Sequence, residues 1–346
     1  MNATELAAAI AALPKAELHL HLEGSIAPET VVRLAANYGV EVSAEEVAAR
    51  YRYTDFAGFI EAYKWVTSFL RRPADYRLIA EELFDRLIAQ NVVYAEVTLS
   101  GGVMLRRGQD VEANFAALIG AAERAAVKGF RVQWIFDAAR QFGALEAVET
   151  ALWATRLAPA GVVAFSVGGD ELALSARDLQ PAYELARSAG LHALAHAGEI
   201  GGPEIVREAI DMLGAERIGH GIGVLHDPIL MDDLAERGLP LEICPTSNLR
   251  TGALGRQLGA DGARLDRHPL KSFFDRGLRV VLATDDPAMF ETDLLGEYRV
   301  AAAMGFSPAE LARLAEASFA LALLPQAERQ AYLDLFRGQA ETLGLL

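Results

Sequence analysis

The chain has 346 residues and carries 47 acidic against 32 basic side chains, a formal net charge of −15 at neutral pH. An acidic surface of this kind is repelled by nucleic-acid phosphates and by anionic membranes, so the composition argues against both as partners. The single cysteine, Cys244, excludes an intrachain disulfide and suits a reducing compartment, so we expect a cytoplasmic protein.

Eight short apolar segments along the chain are predicted to be buried strands. They are rich in Val, Ile and Leu on both faces, as in a parallel sheet that is covered by helices. Several follow a helix that ends in a basic residue and a glycine, as at Arg237-Gly238, so a helix–glycine–strand unit recurs. The predicted strands are Glu17–Leu22, Val92–Leu99, Arg131–Phe136, Val162–Val167, Leu191–His196, Arg217–His220, Leu239–Cys244 and Leu278–Ala283.

Amphipathic helical patterns separate these strands, which indicates an α/β protein. Eight such units predict a (β/α)₈ TIM barrel that forms a single domain over residues 1–346. An open doubly wound sheet is the alternative, although no Gly-x-Gly-x-x-Gly motif opens the chain. About seventy residues separate the first two strands, so a helical insertion is expected at residues 28–90. Its aromatic side chains, among them Phe59 and Tyr63, are expected to pack on the barrel or to form a lid over a pocket.

Histidines and acidic residues gather at the carboxyl ends of the predicted strands, where barrel enzymes place their reactive groups. Strand one ends with His19 and His21, which share a face because side chains alternate along a strand. Strand five ends with His196, and strand eight ends beside Asp285. Imidazole and carboxylate groups are the ligands of catalytic zinc. We therefore predict one Zn²⁺ per chain, held by these four side chains.

Two further polar side chains at the same mouth are predicted to move protons. Glu199 lies three residues beyond His196, and a carboxyl group buried near a substrate has a raised pKa that suits a general acid. His220, at the end of strand six, could bind a second metal ion or act on the attacking water. The fourth strand, Val162–Val167, contains no lysine that could be modified to bridge two metals. This favours one metal with His220 as water activator over a binuclear hydrolase.

The three remaining histidines are predicted to lie outside the site. His192 begins the fifth strand, at the opposite end of the barrel from the reactive mouth. His226 and His268 stand beside prolines at helix starts, which is typical of turn or cap residues.

Six stretches, in order along the chain, resemble the motifs of the adenosine deaminase family of the amidohydrolase superfamily. The resemblance covers nearly the whole chain and implies a hydrolytic deamination at C6 of an aminopurine. The stretches are Pro14–Ser25, Gly168–Glu171, His196–Glu199, Arg217–Gly221, Glu242–Asn248 and Thr284–Pro287.

The resemblance also implies a role for each matched residue. Zinc would be held by the four ligands named above, and Glu199 would protonate N1 of the purine. His220, together with Asp285, would take the proton of the water that attacks C6. Asp286 would contact N7 and the backbone of Gly169 would contact N3, and the release of ammonia would leave a 6-oxopurine.

A purine nucleoside of the adenosine or deoxyadenosine type is the main expectation for the small-molecule substrate. Glu23 stands where adenosine deaminases typically have an aspartate near the ribose, so it is expected to contact the substrate. Residues 94–102 and 134–142 look closer to the subgroup that acts on 6-aminodeoxyfutalosine, whose modified ribose bears an aromatic carboxylate. Arg140, or Lys64 and Arg71 on the insertion, could pair with such a carboxylate.

Free adenine as the substrate, and a barrel without catalytic activity, both agree less well with the sequence. Adenine deaminases usually carry an Asp-Ser-Ser-Glu-like turn where Gly168–Glu171 reads Gly-Gly-Asp-Glu, so adenine itself is disfavoured. A metal-stabilised barrel that binds a purine without turnover is expected to lack Glu199 or His220, and both are present. The oligomeric state is left open.

Overall fold

The computed structural model describes residues 2–346 and is built on eight parallel strands, β1 to β8, paired in chain order. The ring is closed where Leu20 in β1 pairs with Asp285 just after β8. There the amide of Asp285 donates to the carbonyl of His19, and the amide of His21 donates to the carbonyl of Asp285. The predicted (β/α)₈ barrel is therefore confirmed, and the closing contact itself joins three of the predicted metal ligands.

All eight predicted strands are present, and their ends shift by at most three residues. The largest difference is at β3, which continues to Ala139 instead of ending at Phe136. The strands are β1 (Lys15–His21), β2 (Val92–Leu99), β3 (Arg131–Ala139), β4 (Val162–Gly168), β5 (His192–Ala197), β6 (Arg217–His220), β7 (Leu241–Ile243) and β8 (Val280–Leu282).

The described residues form seventeen α-helices, most of which pack around the outside of the barrel. They are α1 (Ala3–Ala12), α2 (Pro28–Ala36), α3 (Ala44–Arg50), α4 (Phe56–Thr67), α5 (Pro73–Ala89), α6 (Gly101–Arg106), α7 (Val111–Ala126), α8 (Ala144–Leu157), α9 (Ala176–Ser188), α10 (Pro203–Leu213), α11 (Pro228–Arg237), α12 (Pro245–Arg250), α13 (Ala253–Leu258), α14 (Leu270–Arg276), α15 (Leu294–Ala303), α16 (Pro308–Ala320) and α17 (Gln326–Thr342).

Helices α2 to α5 lie between β1 and β2, where the sequence predicts the helical insertion. The side chains of Ser43 and Asp55 accept amide hydrogen bonds at the starts of α3 and α4, which satisfies donors that a helix start leaves free. Helices α6 and α12 start in sequence that does not favour a helix. Helix α6 begins with two glycines and α12 begins Pro-Thr-Ser, and both patterns favour turns.

Among residues 2–346, none of the helices combines the length and the apolar composition that crossing a bilayer requires. That residues 1–346 form a single domain stays a prediction.

Candidate active site

The four predicted metal ligands converge at the carboxyl end of the barrel. The Nε2 atom of His21 lies 3.2 Å from Nε2 of His196 and 3.3 Å from Oδ1 of Asp285. The Nε2 atom of His19 lies 3.5 Å from the same carboxylate oxygen. Ligands of one tetrahedral zinc ion, each at roughly 2.0–2.1 Å, lie about 3.3 Å from one another. These three separations fit ligands of one small divalent cation. The larger group of ligand atoms that all lie within 4.8 Å of one another comprises His19, His196, His220 and Asp285, and so contains His220 and not His21.

The other ring nitrogens of two of these histidines show which atoms are free to bind a metal. Nδ1 of His19 lies 2.8 Å from the carboxylate of Glu242, and Nδ1 of His196 lies 3.2 Å from the carbonyl of Val167. Carboxylates and carbonyls only accept, so each Nδ1 carries the proton and each Nε2 offers its lone pair. Nε2 of His19 is buried and has no hydrogen-bond partner among the described residues. A buried nitrogen lone pair without a hydrogen-bond donor is unfavourable, and a bound cation would provide the missing partner.

A buried ion-pair network in the barrel interior holds Glu242 in place. Arg217 lies between two carboxylates, and its Nε atom is 2.6 Å from Glu242 while its Nη2 contacts Glu96. Burial opposes ionisation of Glu242, but Arg217 and His19 keep its pKa below the usual value. Glu242 is therefore a fixed anion that orients the ring of His19, the first predicted metal ligand along the chain.

Replacing Glu242 with glutamine is expected to weaken metal affinity by roughly 10–100-fold, because the amide no longer provides a charged acceptor for His19. The matched control is Glu17→Gln. Glu17 is also a buried carboxyl on the inner side of this barrel, but burial raises its pKa to about 8, so the wild-type group is already neutral. Competition with a chelator measures the affinity. Equal affinity of E242Q and wild type would contradict this role of Glu242.

Asp285 is held by its neighbours in an uncommon backbone conformation. The hydroxyl of Ser247 donates to Oδ2 of Asp285 at 2.6 Å, which turns Oδ1 towards the histidines. Asp285 and His220 have φ values of 65° and 62°, a left-handed region that non-glycine residues rarely occupy. Such conformations persist where the surrounding structure fixes them, and they are concentrated at functional sites.

Glu199 is buried at the same mouth, on the turn that follows β5. Its carboxylate accepts a hydrogen bond from Thr251 at 3.0 Å, and its own amide donates to Glu171. The carboxylate of Glu171 also accepts hydrogen bonds from the amides of Ile200 and Gly201, so this one side chain holds the whole turn. Burial, with the nearby charges of Asp285 and Glu171, raises the pKa of Glu199 to about 8. Glu199 is therefore a neutral carboxylic acid at neutral pH, as a general acid must be.

His220 lies beside this acid and beside the ligand cluster. Its Nε2 atom is 3.7 Å from Oε2 of Glu199 and 3.9 Å from Oδ2 of Asp285. Together with His19, His196 and Asp285 it also offers a group of ligand atoms within 4.8 Å of one another. The structure thus brings His220 to the place where a water activator is required, and within reach of a metal.

The predicted contacts to the purine lie at the same pocket. Asp286 and Gly169 line it, and Gly169 has a φ of 84°. Burial and the charge of Asp285 raise the pKa of Asp286 well above its usual value. Oδ1 of Asp286 is buried and unpartnered among the described residues, so this carboxyl group can donate a proton in a hydrogen bond to a ligand. Gly24 packs so closely on Asp286 that an added Cβ would lie 1.6 Å from Oδ1.

Glu23 and Arg140 are placed differently from what the sequence suggested. Glu23 is buried behind the pocket wall, where it accepts the amide of Ser100 at 3.1 Å. Arg140 is 3% exposed and donates to the carbonyls of Leu174 and His196. The guanidinium of Arg140 is therefore engaged by backbone, and its position supports a metal-bearing strand rather than a contact with a substrate carboxylate.

Apolar and cationic side chains form the outer wall of the pocket. Phe59 and Tyr63 of α4 line it, whereas Val66 and Phe69 of the same insertion are buried away from it. The cations at this wall are Lys64, Arg106 and Arg107. Within the insertion, α4 thus provides part of the pocket wall that the sequence led us to expect.

Several residues that shape the site were not recognised from the sequence. Glu242, Ser247 and Asn248 belong to a stretch that resembles the family, but the resemblance implied no role for them. Glu171 similarly closes the matched stretch Gly168–Glu171. Because these residues lie in stretches that resemble the family and stand next to strand ends, the sequence could have identified them as part of the site. Thr251 lies outside these stretches, and no sequence pattern marked it.

The fold and the site indicate a class of protein. A ring of eight parallel strands, with histidines and an aspartate converging at its carboxyl end, is typical of metal-dependent hydrolases of the amidohydrolase type. A family model described as adenosine deaminase matches residues 14–337. The chain belongs to the adenosine deaminase family and is a deaminase.

Three similar proteins were found in addition. An aminodeoxyfutalosine deaminase from Streptomyces coelicolor is 43% identical over 327 residues, 91% of this chain and 82% of the relative. An adenine deaminase from Agrobacterium fabrum is 35% identical over 320 residues, 92% of this chain and 96% of the relative. The crystal structure of an amidohydrolase from Burkholderia ambifaria with bound zinc superposes with a TM-score of 0.88 at 28% identity, covering 99% of this chain and 96% of that one.

Proposed function

We propose that this chain removes the 6-amino group of an adenine nucleoside whose ribose carries an aromatic carboxylate, the chemistry of 6-aminodeoxyfutalosine. The observation that carries the proposal is a pocket with a polar inner end for the purine and an apolar, cationic outer wall. The 43% identical relative is named for this substrate, and the adenine deaminase relative is less similar. This similarity supports the alternative better than the main expectation of plain adenosine.

The inner end of the pocket suits the adenine ring. Glu199, neutral at physiological pH, is placed to donate a proton to N1 as water adds to C6. The carboxyl group of Asp286, whose pKa is raised, would hydrogen-bond N7, and the backbone of Gly169 would contact N3. Each contact requires a donor at a ring nitrogen, and two of the three come from carboxyl groups whose pKa values are raised.

The metal in this proposal is zinc, held by His19, His21, His196 and Asp285. A zinc ion in such a site acts as a Lewis acid and lowers the pKa of water towards neutrality. The protein supplies the rest: Glu242 and the carbonyl of Val167 fix the ligand rings, and Ser247 fixes the carboxylate of Asp285.

The outer wall suits a flat ring that carries a negative charge. Phe59, Tyr63 and Phe142 provide apolar and aromatic surface. Lys64 and Arg106 are about half exposed; among the described residues their ion-pair partners are Glu61 and Glu146, and Arg106 also stacks over Phe142. A carboxylate entering the mouth can take over these cations at small cost, because exposed ion pairs contribute only about 0.2–1 kcal/mol.

The double variant Lys64→Met/Arg106→Met is expected to raise KM for the carboxylated nucleoside a few-fold at most, since each new exposed ion pair, worth about 0.2–1 kcal/mol, replaces a surface pair of similar strength. Turnover of adenosine should stay unchanged, because adenosine has no carboxylate. The matched control is Arg71→Met: Arg71 is on the same insertion but stacks over Tyr38 and donates to the carbonyl of Ser68, away from the pocket. An equal loss for both substrates would count against a carboxylate contact at these side chains.

The pH dependence follows from Glu199. The acid must be protonated to donate, so the rate should fall as pH rises through its pKa of about 8. The hydrogen bond from Thr251 lowers that pKa, so Thr251→Val should move the alkaline limb to higher pH. The profile of kcat/KM between pH 6 and about 10 measures both. An alkaline limb that does not move in T251V would exclude Glu199 as the titrating acid.

The test of the proposed function is a comparison of zinc-loaded protein on 6-aminodeoxyfutalosine, adenosine, deoxyadenosine and adenine. The conversion of adenine to hypoxanthine is followed by its change in ultraviolet absorbance. We expect the highest kcat/KM for 6-aminodeoxyfutalosine. A higher kcat/KM for adenosine would favour a simple nucleoside as the substrate. A higher kcat/KM for adenine would favour the substrate for which the Agrobacterium relative is named. No turnover of any of the four compounds would reject the proposal.

A further inference from the structure

A buried chain of hydrogen bonds leads from His220 away from the pocket. Nδ1 of His220 lies 3.0 Å from the side-chain nitrogen of Asn248. The amide oxygen of Asn248 lies 3.1 Å from Nε2 of His268, and Nδ1 of His268 accepts the backbone amide of Leu270 at 3.1 Å. All three side chains are at most 5% exposed. The sequence suggested a turn or cap role for His268, and its acceptance of the Leu270 amide at the start of α14 agrees with that role. The structure also places His268 in contact with the active site through Asn248.

The backbone amide of Leu270, at the end of this series of hydrogen bonds, determines which atom donates in each of them. A backbone N–H can only donate, so Nδ1 of His268 must be the accepting, unprotonated nitrogen. The proton of the neutral ring is therefore on Nε2, where it faces Asn248. Burial lowers the pKa of His268 to about 3, which agrees with a neutral ring.

Asn248 transmits this direction to His220. Because His268 donates, Asn248 must present its oxygen to His268 and its NH₂ group to His220. The opposite orientation would place two donors against each other in a buried site, which is costly. Nδ1 of His220 therefore accepts, and the proton of that ring is on Nε2, the atom that faces Glu199 and Asp285.

We propose that Asn248 and His268 are positioning residues that hold His220 as its Nε2–H tautomer, so that His220 donates a hydrogen bond to the attacking water instead of taking its proton. The oxygen of the water then adds to C6, its proton passes to the carboxylate of Asp285, and the proton of Glu199 passes to N1. A nitrogen that carries a proton offers no lone pair, so the same device keeps His220 from binding the metal. The catalytic part of this inference rests on the proposed deamination; the tautomer does not.

The tautomer is tested directly on the metal-loaded protein, without substrate, by ¹⁵N NMR of histidine-labelled samples. The two ring nitrogens of His220 and His268 are assigned from spectra of variants that lack each histidine. We expect Nε2 protonated and Nδ1 unprotonated in both rings. A His220 ring with its proton on Nδ1 would overturn the proposal, whatever the outcome for the substrates.

Two variants test the consequence for the reaction. In Asn248→Asp the carboxylate accepts from both sides, so the proton of His220 should move to Nδ1 and kcat should fall about tenfold or more, with KM retained. His268→Phe leaves the oxygen of Asn248 without a donor and should lower kcat about tenfold. His268→Gln restores an N–H at that place and should recover most of the loss. A shifted tautomer with unchanged kcat would refute the positioning role.

Discussion

Replacing Glu199 with glutamine is expected to lower kcat by roughly 10²–10⁴-fold, the contribution of a positioned general acid. Glutamine has nearly the same shape and can still donate an N–H to the ring, but it cannot transfer a proton. The wild-type carboxyl is neutral at neutral pH because burial raises its pKa to about 8, so the substitution also preserves the charge of the site. A large loss would therefore report proton transfer and not altered electrostatics.

Metal content and KM separate this effect from a collapse of the site. Glu199 is not among the four ligands, so E199Q should bind one metal ion as the wild type does. The control is Glu204→Gln, a carboxylate on the next helix that contacts only the backbone at its own helix start. Near wild-type turnover by E199Q would remove Glu199 from the proton-transfer step.

Replacing His196 with alanine is expected to abolish metal binding at micromolar zinc and to reduce deamination to background. Nε2 of His196 lies 3.2 Å from Nε2 of His21, and His196 also belongs to the group of ligand atoms that lie within 4.8 Å of one another. A metal that binds only the folded state raises its stability with concentration. The melting temperature of wild type should therefore rise with added zinc, while that of H196A should not.

His192→Ala is the matched control for this variant. His192 is on the same strand, but at its opposite end, where it is half exposed and pairs with Glu216. Its loss should leave metal content, zinc-dependent stabilisation and turnover unchanged. If H196A kept one tightly bound zinc and its activity, the ligand set would be wrong.

Eight apolar segments separated by amphipathic helical patterns were sufficient to predict the barrel, because parallel strands that are buried on both faces are apolar throughout. The ends of the strands then had to converge, so His19, His21, His196 and Asp285 could be grouped without coordinates. Their distances of 3.2–3.5 Å agree with that grouping.

What the sequence did not reveal depends on side chains that meet across the barrel. Arg140 is a cation at a strand end, which suggested a substrate contact, but its guanidinium turns back to the backbone carbonyls of Leu174 and His196. His268 is far from His220 in the sequence, and only the packing of α12 against the segment before α14 brings Asn248 between them. Periodicity and motif spacing contain no information on such contacts.

The most direct test of this account is to titrate zinc into chelator-treated protein while measuring deamination of the adenine ring. The account predicts no activity without metal and a linear rise that ends at one zinc ion per chain, because it assigns His19, His21, His196 and Asp285 to one set of ligands. A rise that continues to two ions per chain would make His220 a ligand of a second metal. Full activity before any metal is added would contradict the metal-dependent site itself.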